Sequence, residues 1–413
     1  MKNSQNSTHK IAAFCSLLML FIIACEEDNN ILDPDRHEIA IGFLSAQTGA
    51  AAHFGLPAFY AYQYATDALA EYYGESVSIN ATIVDTQSDK DNCLAELMSF
   101  QQQGIRLIIG PYTSSELSNI REFARENSMI VISPSSVAKS ISLSDDFIFR
   151  MASDDSYQTE AMLQLLRRDS IQTILLIWRD DVWGHDLAGS VMSGFSDMGG
   201  MVFDSLKYDP STEDYSSVIT ELATKSGQML DHYPTSESAI YLLSFNEAAN
   251  ILETASVSGS ELGELKWYGS SAVSQSTPFL ANEAASAFAE QVGFLCPIHG
   301  LDAAAADKYT AINSYVESQS GLDANIYAFN TYDALWLAVV ANLISDVNDP
   351  AEFADSFRES GSNYFGASGR VLFNEAGDRI PETYDFFGVG NVNGEYQWMR
   401  KAVYDFGTGD FHW

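Results

Sequence analysis

The chain has 413 residues and carries 56 acidic against 21 basic side chains, a formal net charge of −35 spread along its length rather than gathered in a tail. So acidic a surface repels polyanions and excludes nucleic acid as a partner. With 46% apolar and 12% aromatic residues the composition is globular, and the length exceeds the usual span of one hydrophobic core, so two lobes are expected.

At the N-terminus, Lys2 and Lys10 precede an apolar run from Ile11 to Ala24 that stops at Cys25 and gives way to Glu26-Glu27-Asp28. The run is too short to span a bilayer as a stable helix, and a small residue precedes Cys25, as a cleaved secretory signal requires. Ile22-Ile23-Ala24-Cys25 resembles a bacterial lipoprotein lipobox, with Ile23 bulkier than the residue usual there. Cys15 fits worse as an anchor, because Phe14 precedes it and the apolar run continues beyond it. The expectation is a signal peptide over 1–25 with lipidated Cys25, a polar tether over 26–38, and a domain held beside a bacterial membrane outside the cytoplasm. Cys93 and Cys296 remain; export permits a disulfide between them, while a lone pair at no motif spacing suits two buried thiols. No zinc spacing exists and the seven histidines do not cluster, so neither metal nor cofactor is expected.

From Ile39 strand and helix patterns alternate. The order is strand Ile39–Leu44, helix Leu56–Tyr73, strand Val77–Val84, helix Asn92–Gln103, strand Arg106–Ile109, helix Glu116–Glu126 and strand Met129–Ile132. The alternation restarts after Arg150. It continues with helix Tyr157–Arg168, strand Thr173–Trp178, helix Asp186–Met198, strand Met201–Leu206, helix Tyr215–Thr224, strand Ala239–Leu243, helix Glu247–Ser258 and strand Lys266–Tyr268. Such alternation predicts two doubly wound α/β units, each with a parallel sheet covered on both faces. No linker rich in Pro, Gly or Ser separates them, which points to lobes joined by crossing strands.

In open parallel sheets ligands bind beyond the carboxyl ends of the strands. The turns there are Ser45-Ala46-Gln47-Thr48-Gly49 leading to His53-Phe54-Gly55, then Gly110-Pro111-Tyr112-Thr113-Ser114-Ser115-Glu116, and Ser133-Pro134-Ser135-Ser136-Val137. Thr113-Ser114-Ser115 opens a predicted helix, where free N–H groups and hydroxyls suit a carboxylate or another polar acceptor; plain N-capping uses the same residues. In the second unit Trp183 and Phe245 decorate the matching turns, and two aromatics facing one cleft suit an apolar or flat ligand. No Gly-x-Ser-x-Gly elbow, Walker loop, His-Glu-x-x-His or Gly-x-Gly-x-x-Gly occurs, so no catalytic residue is assigned and no enzyme is expected.

At these turns the chain resembles the type I periplasmic binding proteins, in particular the branched-chain amino acid and amide binding components of ABC transporters. The resemblance runs from Ile39-Ala40-Ile41-Gly42-Phe43-Leu44-Ser45 through Arg106-Leu107-Ile108-Ile109-Gly110-Pro111, Met129-Ile130-Val131-Ile132-Ser133-Pro134, and Phe149-Arg150 with Asp155 and Gln158. It is sharpest at Gly366-Ala367-Ser368-Gly369-Arg370-Val371-Leu372-Phe373-Asn374-Glu375-Ala376-Gly377-Asp378-Arg379 with Tyr384-Asp385-Phe386. The resemblance implies two Rossmann-like lobes joined by three crossover strands and closing on a ligand.

Carried over by position, Ser114 matches the serine that holds a ligand carboxylate, and Ser135 the residue whose carbonyl receives an ammonium. Val137 stands where the family has a head-group threonine, Phe54 at a first-lobe aromatic, and Trp183 and Phe245 at second-lobe aromatics. Ser271 stands where an acidic residue commonly faces the ammonium. Losing that acid and the hydroxyl at Val137 argues against an ordinary α-amino acid, unless Asp155 compensates.

The resemblance thus implies a lipid-anchored, monomeric solute-binding protein with lobe 1 over 39–150 plus 296–372 and lobe 2 over 151–295 plus 373–413. It captures a small polar or amphipathic ligand, namely an amino acid derivative, amide or carboxylate, and delivers it to an ABC permease. Ligand contacts are expected from Phe54, Thr113, Ser114, Ser135, Val137, Asp155, Trp183, Phe245 and Ser271. A ligand-sensing receptor of the same fold is the main rival, and an exported hydrolase a weaker one.

Overall fold

The computed structural model describes residues 36–412 except 145 and 260. The expected signal, Cys25 and most of the tether therefore lie outside the described residues. No described helix is long and apolar enough to cross a membrane.

The first sheet has the order β2-β1-β3-β4-β5, formed by β1 (His37–Ser45), β2 (Val77–Asp85), β3 (Leu107–Ile109), β4 (Ile130–Ser133) and β5 (Ile148–Arg150). Ile41 lies opposite Leu107 and Ile109 opposite Ile132 in parallel register. Both faces of β3 and β4 are buried, which is why these strands read as unbroken apolar runs. Helices α1 (Ala52–Tyr73), α2 (Lys90–Gln102) and α3 (Ser114–Glu126) cover this sheet.

After β5 the chain enters the second lobe through α4 (Asp155–Arg168), β6 (Thr173–Arg179), α5 (Val182–Asp197), β7 (Met201–Tyr208) and α6 (Ser216–Leu230). It continues through β8 (Ser238–Leu243), α7 (Ala248–Ser256), β9 (Lys266–Tyr268), α8 (Thr277–Leu280), α9 (Glu283–Gln291) and β10 (Leu295–His299). Helices α10 (Ala306–Ser320), α11 (Ile326–Ile344) and α12 (Pro350–Ser362) then return to the first lobe, where α10 and α11 lie against α1 and α12 against α11. The hairpin β11 (Phe365–Gly366) and β12 (Gly369–Arg370) precedes a last passage to β13 (Thr383–Val392), β14 (Glu395–Asp405) and β15 (Asp410–His412).

The second sheet has the order β15-β14-β13-β10-β9-β8-β6-β7. Its half from β10 to β7 is parallel, whereas β13, β14 and β15 are antiparallel. The wholly parallel sheet expected from the alternating pattern thus carries an antiparallel extension, built from a segment joined by tight turns rather than helices. Residue 296, expected to begin the return to lobe 1, falls inside β10, which pairs with β9 and β13; the crossing comes after His299. Residues 373–378 likewise stay on the first-lobe side, where Arg150 N–H donates to Gly377 O and Asp378 bridges to Arg150 in parallel. The architecture is two α/β lobes joined by three passages of the chain. Cys93 and Cys296 are both buried and both free, the first on α2 and the second on β10.

Candidate functional site

The carboxyl ends of both sheets meet at one cavity. Its first-lobe wall comes from the turns after β3 and β4. Gly110 turns there with φ +96°, and a Cβ on it would lie 2.2 Å from Leu44 O, so the backbones pack too closely for any side chain. That turn delivers Tyr112, Thr113 and Ser114 to the cavity.

Thr113 caps α3 in a reciprocal box: its hydroxyl accepts from Glu116 N–H (3.2 Å), while Glu116 Oε2 accepts from Thr113 N–H (2.9 Å). The plain capping role foreseen for this residue is therefore present. Burial pushes the Glu116 carboxyl up, opposed by its bonds to Thr86 and Thr113. Ser114 ties two turns together, since its Oγ accepts from Val137 N–H (3.2 Å) and Ala138 N–H (3.1 Å). As an acceptor from two backbone groups, that hydroxyl keeps its own proton for a third partner. Ser135 Oγ donates to Tyr112 O at 2.6 Å.

The second-lobe wall begins at the N-terminus of α5, which Asp181 caps by accepting from Gly184 N–H at 2.8 Å. Trp183 thus sits in the first helical turn, earlier than the helix start expected at Asp186. Gly184 is required here because a Cβ would lie 2.0 Å from Arg179 O. Phe245 packs against Trp183 with ring centroids 5.1 Å apart, and the Arg179 guanidinium lies over the Phe245 ring at 3.8 Å. Arg179 is itself fixed by Asp181 (2.6 Å) and Glu247 (2.7 Å).

Across the cleft, Phe54 meets Phe245 edge to face at 5.9 Å and Tyr327 at 5.2 Å. His53 donates its Nε2–H to Ala272 O at 2.9 Å, and Ser140 N–H donates to Asp186 Oδ2 at 2.7 Å, so both lobes are in direct contact. The free space is about 20 Å³. That holds about one water, so a larger molecule enters only when the lobes part.

Eight of the nine residues singled out in the sequence line this cavity: Phe54, Thr113, Ser114, Ser135, Val137, Trp183, Phe245 and Ser271. Asp155 does not. It is buried next to the lining, with its N–H donating to Val137 O at 2.8 Å and one carboxylate oxygen accepting from Gln158 Nε2 at 3.1 Å. Burial holds its carboxyl well above the usual range and Asp154 adds to this, while Arg150 and a hydrogen bond with the Trp183 side chain oppose it. Tyr112, Ala272 and Tyr327 also line the cavity and were not foreseen. Tyr112 sits inside the Gly110-Pro111 turn and was within reach of the strand-end argument; Tyr327 comes from α11, far along the chain, and carried no local signal.

Residues 60–391 match the family described as the receptor family ligand binding region. The chain belongs to this family. An uncharacterized protein of Methanocaldococcus jannaschii is 25% identical over 397 residues, covering 91% of either chain. Among solved structures the family fold recurs in the leucine binding protein LivK of Thermotoga maritima, with a TM-score of 0.72 at 19% identity over 90% of this chain and 99% of that one. It recurs in the isoleucine complex of LivJ from Streptococcus pneumoniae, with a TM-score of 0.68 at 16% identity, covering 88% of this chain and all (100%) of that one. It is also seen in an ABC transporter solute binding protein of Rhodopseudomonas palustris bound to 3,4-dihydroxy benzoic acid, with a TM-score of 0.72 at 14% identity over 89% and 97%. At such identities the likeness is one of fold, that of the type I periplasmic binding proteins.

Proposed function

We propose that this family member is an extracytoplasmic solute-binding protein that closes on a small amphipathic molecule carrying no isolated positive charge, such as an amide, a carboxylate or an aromatic acid. The observation that carries the reading is the cavity wall: aromatic rings from both lobes, hydroxyls at its polar positions, and no Asp, Glu, Lys, Arg or His side chain among the described residues that line it. Flat apolar surface would lie among Phe54, Trp183, Phe245 and Tyr327, and polar atoms would meet Ser114 and Ser271. An ammonium buried there without a carboxylate would cost on the order of several kcal/mol. The aromatic acid bound by the Rhodopseudomonas palustris protein supports this ligand class.

Closure needs a ligand that touches both lobes, because equal contact in both states shifts nothing. The deciding experiment is a thermal-shift screen of amides, aromatic acids, amino acids and polyamines. An aromatic acid or amide should raise the melting temperature, and a response confined to polyamines would overturn the reading.

In this reading Cys25 carries lipid and the bound solute passes to an ABC permease. Replacing Cys25 by Ala should move the intact protein from the membrane fraction to the soluble one, and retention after a salt wash would count against the anchor. A second reading, a sensor that reports the ligand to a partner, draws support from the family's description as receptors.

A further inference from the structure

Four residues that line the cleft are joined by one chain of hydrogen bonds. Asp155, at the start of α4, donates its N–H to Val137 O at 2.8 Å. Its carboxyl accepts from Gln158 Nε2 at 3.1 Å and is hydrogen-bonded by the Trp183 side chain. Gln158, one turn further along α4, accepts from Ser271 N–H at 2.7 Å through its Oε1. Ser271 in turn shares a side-chain hydrogen bond with Tyr327 of the first lobe. Val137, Trp183, Ser271 and Tyr327 all line the cavity, whereas Asp155 and Gln158, 1% and 0% exposed, do not.

A Gln side chain carries a donor and an acceptor on one rigid amide. Here the donor goes to Asp155 and the acceptor to Ser271, so Gln158 ties a helix start to a loop 113 positions away. Trp183 has a single polar side-chain group, its indole N–H, and Ser271 a single backbone N–H. Both are taken by this relay. A solute in the cleft therefore meets the ring surface of Trp183 and the hydroxyl of Ser271, but neither of these two donors.

We propose that Asp155 and Gln158 are the positioning residues of the cleft: together they set the Trp183 ring and the Ser271 loop, and they withhold two N–H donors from the solute. The inference rests on reading the cleft as the solute site and adds how its second-lobe wall selects. With those donors occupied, that wall offers ring faces and one hydroxyl, which favours a flat apolar body on that side and leaves the remaining polar recognition to first-lobe groups such as the Ser114 hydroxyl. Asp155 acts through Trp183 and Ser271 rather than on the solute. Breaking the relay leaves buried polar groups unpaired and frees the ring to turn, so affinity falls although no solute contact has been removed.

The test is nuclear magnetic resonance of the full chain, isotope-labelled at nitrogen and free of solute. The indole signal of Trp183, assigned by its loss in Trp183→Phe, and the amide signal of Ser271, assigned by serine-selective labelling with Ser271→Ala, report the two arms separately. Asp155→Leu should move both signals upfield, toward unbonded positions, because it releases Trp183 and unties Gln158. Gln158→Leu should move the Ser271 signal and leave that of Trp183 in place, and Asp155→Asn, which keeps an acceptor oxygen, should hold both nearest to wild type. Calorimetry with benzoate as the cleft probe should then show affinity lowered about tenfold in Asp155→Leu and Gln158→Leu and within about threefold of wild type in Asp155→Asn. If benzoate does not bind the wild type, the ligand class proposed for the cleft is at fault, and the resonances still decide the relay. Should Asp155→Leu fail to fold, Gln158→Leu decides alone. A Trp183 signal unmoved in folded Asp155→Leu, or a Ser271 signal unmoved in Gln158→Leu, overturns the proposal. So does benzoate binding lost as fully in Asp155→Asn as in Asp155→Leu, which would make Asp155 a charged contact of the solute.

Discussion

Arg150 and Asp378 lie 228 positions apart and form a two-pronged ion pair with both side chains buried, Nη2 to Oδ2 at 2.6 Å and Nε to Oδ1 alongside it. The pair joins the segment that ends the first lobe's sheet to the segment that leads into the last passage. The guanidinium also donates to Ala138 O at 2.7 Å, and Asp378 accepts from the Ser142 hydroxyl. Removing one partner strands the other charge in the interior. Arg150→Met or Asp378→Asn should each lower unfolding stability by about 3–5 kcal/mol, and the Arg150→Met/Asp378→Met double variant should recover part of that loss. Chemical denaturation measures it, and additive single losses would show that the two residues are not coupled.

Phe245 and Trp183 are expected to carry cleft affinity. Phe245→Ala or Trp183→Ala should weaken the ligand found in the screen by about 1–3 kcal/mol. Phe245 also covers one side of Arg179, so some loss of melting temperature accompanies its variant. Unchanged affinity in a destabilised protein would assign both rings to the core instead.

His53 should make closure sensitive to pH. Burial in the closed form lowers its pKa from the ordinary 6.5, and Arg179 adds to this, while the carbonyls of Ala272 and Ala50 and the charge of Glu247 oppose it. A proton therefore prefers the open form. Closure is fully favoured above about pH 6.5 and loses ground as the pH falls below it. Spin labels on the two lobes, read by pulsed electron resonance between pH 8 and pH 5, should show longer distances in acid, and His53→Gln should flatten the response. A His53→Gln profile identical to wild type would remove His53 from this role.

Leucine, isoleucine, valine, alanine and glutamate should not bind at micromolar level. Ser271 and Val137 both line the cavity and neither carries charge, and Asp155 is outside its lining with its carboxyl pushed toward the neutral form by burial. Micromolar binding corresponds to about 8 kcal/mol, of which an unpaired ammonium would remove much. Calorimetry decides. If one of these amino acids binds and Asp155→Asn abolishes it, Asp155 turns inward and supplies the missing charge.

The sequence made the cleft legible because its walls are local. Phe54, Ser114, Ser135, Trp183 and Phe245 each follow a strand, and the strand-end rule needs only the strand to be found. Tyr327 stayed hidden because α11 reaches the cleft through its packing on α1, a tertiary fact with no mark in its own apolar run. The same limit explains β13 to β15: once helices cease to alternate with strands, pattern alone does not say which sheet receives them. Asp155 was placed by motif and stands close to the cleft, yet it is buried outside the lining, because spacing along the chain does not say how deep a side chain at a helix start will sit.

The first lobe's sheet is complete by Arg150, yet α10, α11 and α12, which cover part of it, lie at 306–362. During synthesis that apolar flank lacks this cover until residues 306–362, beyond the far end of the second lobe's main segment, have been made. The contacts that finish the first lobe close very long loops, so the lobe whose strands are made first is not free to finish folding first.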